Sequence, residues 1–156
     1  MESVKPLHQF TALTKCNFGG RTLTRQMLGR AGELLVCLDF LKLGFAASID
    51  GFPDSACDVI ADLGGKFLRV QVKTTGKPRI YGGKCATGYS FKWLERAKVR
   101  YTDIDLMAFV AFDIGKVIYV PYQKILDERR SNQFSLASHK FESQGGNLFQ
   151  LLRDYL

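Results

Sequence analysis

The 156-residue chain predicts an α/β fold, a small mixed β-sheet flanked by helices, and three patterns carry that reading. Met27, Ala31, Leu34, Leu35, Leu38 and Leu41 recur at three- and four-residue spacing, as on one buried helix face. Two apolar-rich runs, 57–63 and 66–75, meet at Gly64-Gly65, the kind of centre a two-residue hairpin turn demands. A second apolar pair, Leu106–Phe112 and Val117–Val120, is separated by a polar turn at Asp113-Ile114-Gly115-Lys116.

Taken in order, residues 1–21 lack periodicity and read as a basic N-terminal leader. A helix capped by Thr22 or Thr24 then runs to about Leu43, where Gly44 stops it. Phe45–Asp50 is a first strand, and Gly51-Phe52-Pro53-Asp54-Ser55 turns into the hairpin. Gly76–Gly88 reads as a mobile Gly-rich loop, and Tyr89–Trp93 as a short strand or helix start. After the second apolar pair, Pro121 ends a strand and Gln123–Arg130 is helical. Residues 131–146 are polar and weakly patterned, and Asn147–Leu156 is a short amphipathic helix, so 131–156 forms a C-terminal extension of one 156-residue domain.

The hairpin fixes a register. With Gly64 and Gly65 as loop residues, Leu63 faces Lys66, Ile60 faces Arg69 and Asp58 faces Gln71. Side chains alternate along a strand, so Asp58, Gln71 and Lys73 share one face. Cys57, Val59, Ala61, Leu63, Leu68, Val70 and Val72 form the other, core face. Glu33 lies at the edge of the helix stripe, with Arg30, Cys37 and Phe40 as its neighbours at helical spacing.

The net charge of +7 is unevenly spread: between Lys66 and Arg100 stand ten basic residues and one acid, interleaved with Tyr81, Tyr89, Phe91 and Trp93. Such a surface suits a phosphate backbone. Arg30, Lys77, Arg79, Lys84, Lys92, Arg96 and Lys98 are the candidate nucleic-acid contacts. The aromatic residues also suit stacking on unpaired bases, so an RNA partner stays open beside duplex DNA. Cys16, Cys37, Cys57 and Cys85 show no metal-ligand spacing and read as reduced cytoplasmic thiols. No apolar run approaches a membrane span.

Glu33, Asp58, Gln71 and Lys73, in that order on a helix and the two strands of a hairpin, resemble the PD-(D/E)XK nuclease superfamily. Phe67–Thr75, FLRVQVKTT, is the most telling segment, with Gln71-Val72-Lys73 in the place of the tripeptide. The Gln variant resembles small homing endonucleases of group I introns, and the layout also resembles Holliday-junction resolvases. The resemblance implies a restriction-endonuclease-like core and Mg²⁺-dependent hydrolysis of double-stranded DNA, with Mn²⁺ as a substitute. Asp58, Gln71, the Val72 carbonyl and Glu33 would then be metal ligands, and Lys73 would hold the attacking water. Paired cuts imply a homo-oligomer, a dimer or a tetramer. Asp54, in the literal Pro53-Asp54 pair, is the rival of Asp58. A DNA-binding module that lost the chemistry is the reading from another class.

Overall fold

A computed structural model describes residues 23–52, 55–81, 86–92, 104–127, 133–153 and 155. Helix α1 spans Arg25–Lys42, and Thr24 is its cap, accepting a hydrogen bond from the Met27 N–H at 3.2 Å. The strands that follow are β1 (Ala46–Ile49), β2 (Val59–Asp62) and β3 (Phe67–Thr75). Gly64 and Gly65 take φ of 84° and 103°, conformations that only a residue without Cβ adopts cheaply. The register agrees with the one counted from the turn: Ile60 faces Arg69, and the Leu63 N–H donates to the Lys66 carbonyl at 2.9 Å. The core-facing residues of the hairpin, Cys57 to Val72 on alternate positions, are all buried.

Strands β6 (Leu106–Ala111) and β7 (Lys116–Pro121) complete a five-stranded sheet of order β1-β2-β3-β6-β7, in which β3 and β6 are parallel and the other pairs antiparallel. Arg69 and Asp105 set the parallel register. The Arg69 N–H donates to Asp105 Oδ2 at 2.7 Å and the Asp105 N–H to the Arg69 carbonyl at 2.9 Å.

Part of the segment expected to be a loop, 76–88, is strand, and the strand alternative for Tyr89–Trp93 holds through Lys92. Strands β4 (Arg79–Tyr81) and β5 (Ala86–Lys92) pair with each other, and β8 (Gln133–Ala137) joins β5 to form a second sheet of order β4-β5-β8. The glycines and cations that suggest a loop stand among alternating Tyr89 and Phe91, whose burial against the first sheet decides the outcome. The region 131–146 likewise yields β8 and helix α3 (Ser138–Gln144); α2 is described over Tyr122–Asp127, with 128–130 of the expected helix outside the described residues, and α4 (Leu148–Leu152) is shorter than expected.

The first sheet is covered on both faces. One face packs Val36, Cys37 and Phe40 of α1 and Leu148 and Leu152 of α4 against Val59, Val70, Leu106 and Tyr119. The other carries Met107, Phe109 and Ile118 against Tyr89, Phe91 and Phe134 of the second sheet and Phe141 of α3. Phe109 and Phe134 stack with centroids 4.1 Å apart.

The buried face of α1 is not the expected stripe. Met27, Leu34 and Leu41 are 56%, 57% and 54% exposed, and Gly32, Val36, Cys37 and Phe40 face the sheet. Apolar residues occupy both sides of this helix, so periodicity alone selects no side. Close approach selects it: a Cβ at Gly32 would stand 1.9 Å from Thr74 Oγ1, so only the glycine side can sit against β3. Further along α1, Asp39 accepts a hydrogen bond from the Tyr119 hydroxyl at 3.0 Å, tying the helix to β7.

The outer edge of β7 is closed by the Gly146 N–H, which donates to the Val117 carbonyl at 2.8 Å, and by the Asn147 side chain. Asn147 accepts from the Tyr119 N–H and donates to the Tyr119 carbonyl, both at 2.8 Å, as a neighbouring strand would. Asn147→Ala leaves both backbone groups unpaired and is expected to cost about 2–4 kcal/mol. The check is a lower urea midpoint with an unchanged slope; an Asn147→Ala midpoint equal to wild type would remove this role from the side chain.

Candidate active site

Strand β2 pairs with β3 only from Val59↔Val70 to Asp62↔Phe67, whereas β3 continues to Thr75 with β6 alone at its side. The two strands therefore part at Asp58. Val70 and Val72 direct their peptide groups into the opening: the Asp58 N–H donates to the Val70 carbonyl at 2.9 Å, and the Val72 N–H donates to Asp58 Oδ2 at 2.7 Å. A strand residue's N–H and C=O point the same way, so the Val72 carbonyl also faces the parting.

Gln71 is 7% exposed, and its amide nitrogen donates to Asp58 Oδ2. Asp58 Oδ2 thus takes two donors, and Oδ1 has no hydrogen-bond partner among the described residues. In this orientation the Gln71 Oε1 points away from the Asp58 contact; a turn of the amide about its last torsion exchanges oxygen for nitrogen. Lys73 lies two residues further on the same face, opposite Phe109 in the β3–β6 register.

Glu33 reaches the site from α1, one residue after the Gly32 contact with Thr74. Arg30 Nη1 holds Glu33 Oε2 at 2.7 Å. Burial pushes the Glu33 carboxyl above its ordinary range and the nearby Asp58 carboxylate adds to this, while Arg30 and Lys73 oppose it. Asp58 is raised by burial, against the Val72 N–H, the Lys73 ammonium and the Gln71 amide. Burial lowers Lys73, and the two carboxylates pull it back up. Gln71 is hydrogen-bonded to Asp58, and Glu33, Asp58 and Lys73 lie within electrostatic reach of one another. Two carboxylates pressed into a partly dry site are a setting that a cation relieves.

The donors available for such a cation are all oxygen: Asp58, Glu33, the Val72 carbonyl and, after its amide turns, Gln71. Hard divalent cations prefer oxygen ligands, so the residues fit Mg²⁺. Among the described residues no three His, Cys, Asp or Glu side chains converge as a metal cluster; two of the four candidate donors here are an amide and a backbone carbonyl.

Of the candidate nucleic-acid contacts, Lys77, Arg79 and Lys92 are exposed, and Arg30 is engaged with Glu33. Lys84, Arg96 and Lys98, and the rival acid Asp54, lie outside the described residues. Cys37 and Cys57 are buried free thiols, and no helix among the described residues is long and apolar enough to cross a membrane.

The architecture matches solved structures. Residues covering 84% of this chain and 93% of the other superpose on the bacterial homing endonuclease I-Ssp6803I with TM-score 0.66 at 12% identity. The fold is restriction-endonuclease-like. The Holliday junction resolvase Hjc of the archaeon Archaeoglobus fulgidus also matches, with TM-score 0.50 at 17% identity, over 79% of this chain and 93% of that one. At these identities the likeness is one of fold. No family model matches the chain, and no curated protein matches it.

Three parts of the site in this restriction-endonuclease-like core escape sequence reading. Gly32 and Thr74 form the close contact that seats Glu33, and Thr74 Oγ1 is buried without a hydrogen-bond partner among the described residues. Asp50 supports Asp58 from the preceding turn, its N–H donating to the Asp58 carbonyl at 2.8 Å. Hydrogen bonds from Ser55 and the Phe52 N–H hold the Asp50 carboxyl below its usual range. Only Gly32, a glycine inside a helical pattern, carries a signal that could have been followed.

Gly32→Ala is expected to push α1 off β3 and cost about 1–3 kcal/mol. The cost should shrink in a Thr74→Ala background, where the obstructing hydroxyl is gone, and a double-mutant cycle of thermal unfolding measures the coupling. Strictly additive changes would place the clash elsewhere.

Proposed function

We propose that the chain is a Mg²⁺-dependent endonuclease of double-stranded DNA, of the PD-(D/E)XK type with glutamine in the tripeptide. The observation that supports this reading is the hydrogen-bonded group of Asp58, Gln71 and the Val72 N–H where β2 and β3 part, with Lys73 two residues further on β3 and Glu33 held by Arg30 on α1, inside a restriction-endonuclease-like fold. The likeness to a homing endonuclease over 84% of this chain supports a site-specific double-strand enzyme. A resolvase of branched DNA is the second reading, supported by the likeness to Hjc. Either works on two strands, which favours a homodimer or homotetramer acting in the cytoplasm.

Asp58, the Val72 carbonyl, Gln71 and Glu33 would hold the metal. When bound, Mg²⁺ supplies Lewis-acid polarisation of the phosphate and a lowered pKa for bound water. Asp58 is pre-set for this work, because the Val72 N–H and the Gln71 amide fix Oδ2 and leave Oδ1 without a partner among the described residues. Lys73 offers three N–H donors from a short reach beyond Gln71. Held between burial and two carboxylates, it positions water against the phosphate and offsets negative charge as the phosphorus becomes five-coordinate. Arg30 keeps Glu33 turned toward the unit and presents the rest of its exposed guanidinium to the solvent side, where a phosphate can meet it.

Gln71 replaces the acid that the superfamily pattern carries. Glu33, Asp58, Lys73 and Arg30 then sum to no net charge, and a divalent cation gains one fewer attraction than at a three-carboxylate site.

Lys73→Ala should abolish nicking of supercoiled plasmid in Mg²⁺ while duplex affinity changes less than about threefold; cleavage at the wild-type rate would remove Lys73 from the chemistry. By titration calorimetry, Asp58→Asn should lose Mn²⁺ binding, and Gln71→Glu should tighten it about tenfold, roughly 1.4 kcal/mol. A wild-type protein that binds no divalent cation and cuts no DNA would leave the binding-module reading in its place.

A further inference from the structure

Sheet β4-β5-β8 covers the first sheet with only one of its faces. Tyr89, Phe91 and Phe134 point inward and are buried. By alternation, the outward face carries the rungs between them: Arg79 opposite Gly88 and Gly88 opposite Ala137, then Ser90 opposite Ser135, then Lys92 opposite Gln133. This face bears no large apolar side chain among those rungs. Between Arg79 and Lys92 it is a row of hydrogen-bonding groups with a cation at each end, and the rung beyond Arg79, Tyr81 opposite Ala86, falls on the same face.

The row is ordered by its own contacts. The Gln133 amide nitrogen donates to Ser90 Oγ at 3.0 Å and to Ser135 Oγ at 2.8 Å, and the Ser135 hydroxyl donates to Ser90 Oγ at 3.2 Å. Three short polar side chains on two strands are thereby locked together. With its nitrogen committed, Gln133 offers Oε1 as an acceptor, and Ser90 retains a hydroxyl proton to donate.

We propose that this outer face, Ser90, Gln133 and Ser135 between Arg79 and Lys92, is the surface that reads base edges in the major groove of duplex DNA. The inference rests on the nuclease reading for its partner and goes beyond it in naming the reader. Dimensions select the groove. Gly88, level with Arg79, and Lys92 are four residues apart, about 14 Å along a strand. The major groove is about 12 Å wide and admits two paired strands, while the minor groove is about 6 Å wide and does not. The two cations can then meet the phosphate walls while the polar row meets the floor.

Chain continuity places the face near the cut. Arg79 follows Lys73 by six residues, which limits their separation to about 21 Å, or roughly six base pairs at 3.4 Å each. Chemistry narrows the bases: an amide acceptor flanked by hydroxyls fits the exocyclic amino group of adenine, or that of cytosine. The deep, narrow major groove of A-form RNA excludes such a surface.

The test is selection of a randomised duplex library by the full chain at fixed salt, without added divalent cation, with sequencing of the retained pool. Plasmid nicking in Mg²⁺ is scored in parallel. Wild type should retain a sequence preference, and the combined Ser90→Ala, Gln133→Ala, Ser135→Ala protein should lose about tenfold of it at one to three adjacent positions. Gln133→Glu, which keeps the side-chain length and offers only acceptors, should move the preference toward cytosine at one of those positions. Lys92→Ala should lower affinity for every duplex and reduce the salt slope by about one, leaving the preferred sequence as it was. The proposal is overturned by an unchanged preference in both polar variants, by no duplex preference in wild type, or by enrichment from a single-stranded RNA library alone. Nicking by wild type with an unchanged preference in the variants removes this reader and leaves the nuclease; a preference lost in the variants without nicking by wild type does the reverse.

Discussion

Strand β3 outruns β2, and the site depends on that mismatch. Had the two strands stayed paired to Thr75, the peptide groups of Val72 and Thr74 would be spent on a neighbour and no room would exist for the Asp58 carboxylate between them. The end of pairing at Val59 turns a sheet interior into a short open edge with one carboxylate already held in it. Two contacts hold β3 along that edge. Asp105 pins β3 from the opposite side through the Arg69 peptide, and α1 presses on it at Thr74.

The helix is the more delicate of these supports. It touches β3 through a glycine, which lets the backbones come close but gives up helix propensity of about 1 kcal/mol relative to alanine. The return is placement: Glu33 is carried to within electrostatic reach of Asp58 and Lys73 without itself lying on the sheet. A buried hydroxyl at Thr74 without a partner among the described residues is a further cost borne at the same spot. Both concessions cluster beside the four polar groups, as is common where function competes with stability.

Much of this was legible in the residues, for local reasons. Gly64-Gly65 dictates the turn, the turn dictates the register, and the register alone puts Asp58, Gln71 and Lys73 on one face. Where the determining contacts are long-range, the sequence misleads. The outward side of α1 is as apolar as the inward one, so the choice between them is made by Thr74, more than thirty residues away. The start of β5 looks like a loop because glycines and cations precede it, and Tyr89–Trp93 reads equally as strand or helix start; its inward Tyr89 and Phe91 settle on strand once Phe109 and Phe141 are opposite them. The segment 133–137, polar on one side, is settled in the same way. Gln71 lies beside Asp58 as the register requires, but its engagement with Asp58 through nitrogen is a matter of side-chain geometry that no spacing encodes.

The parallel pair of β3 and β6 has a consequence for how the molecule assembles. Antiparallel β2 and β3 are joined by two residues, so their closure costs little chain entropy and belongs to the microsecond range of hairpins. The contact that fixes β3 to β6, Arg69 with Asp105, closes a separation of 36 residues, and the cost of closing a loop rises with its length. Non-local pairings of this kind dominate folding times. The strand bearing Gln71 and Lys73 can therefore find its hairpin partner early while its other edge waits on the intervening β4 and β5. During that interval an apolar, half-paired β3 exposes an unpaired strand edge of the kind that aggregates, and the cations in the segment just after it provide charge repulsion between chains at that stage.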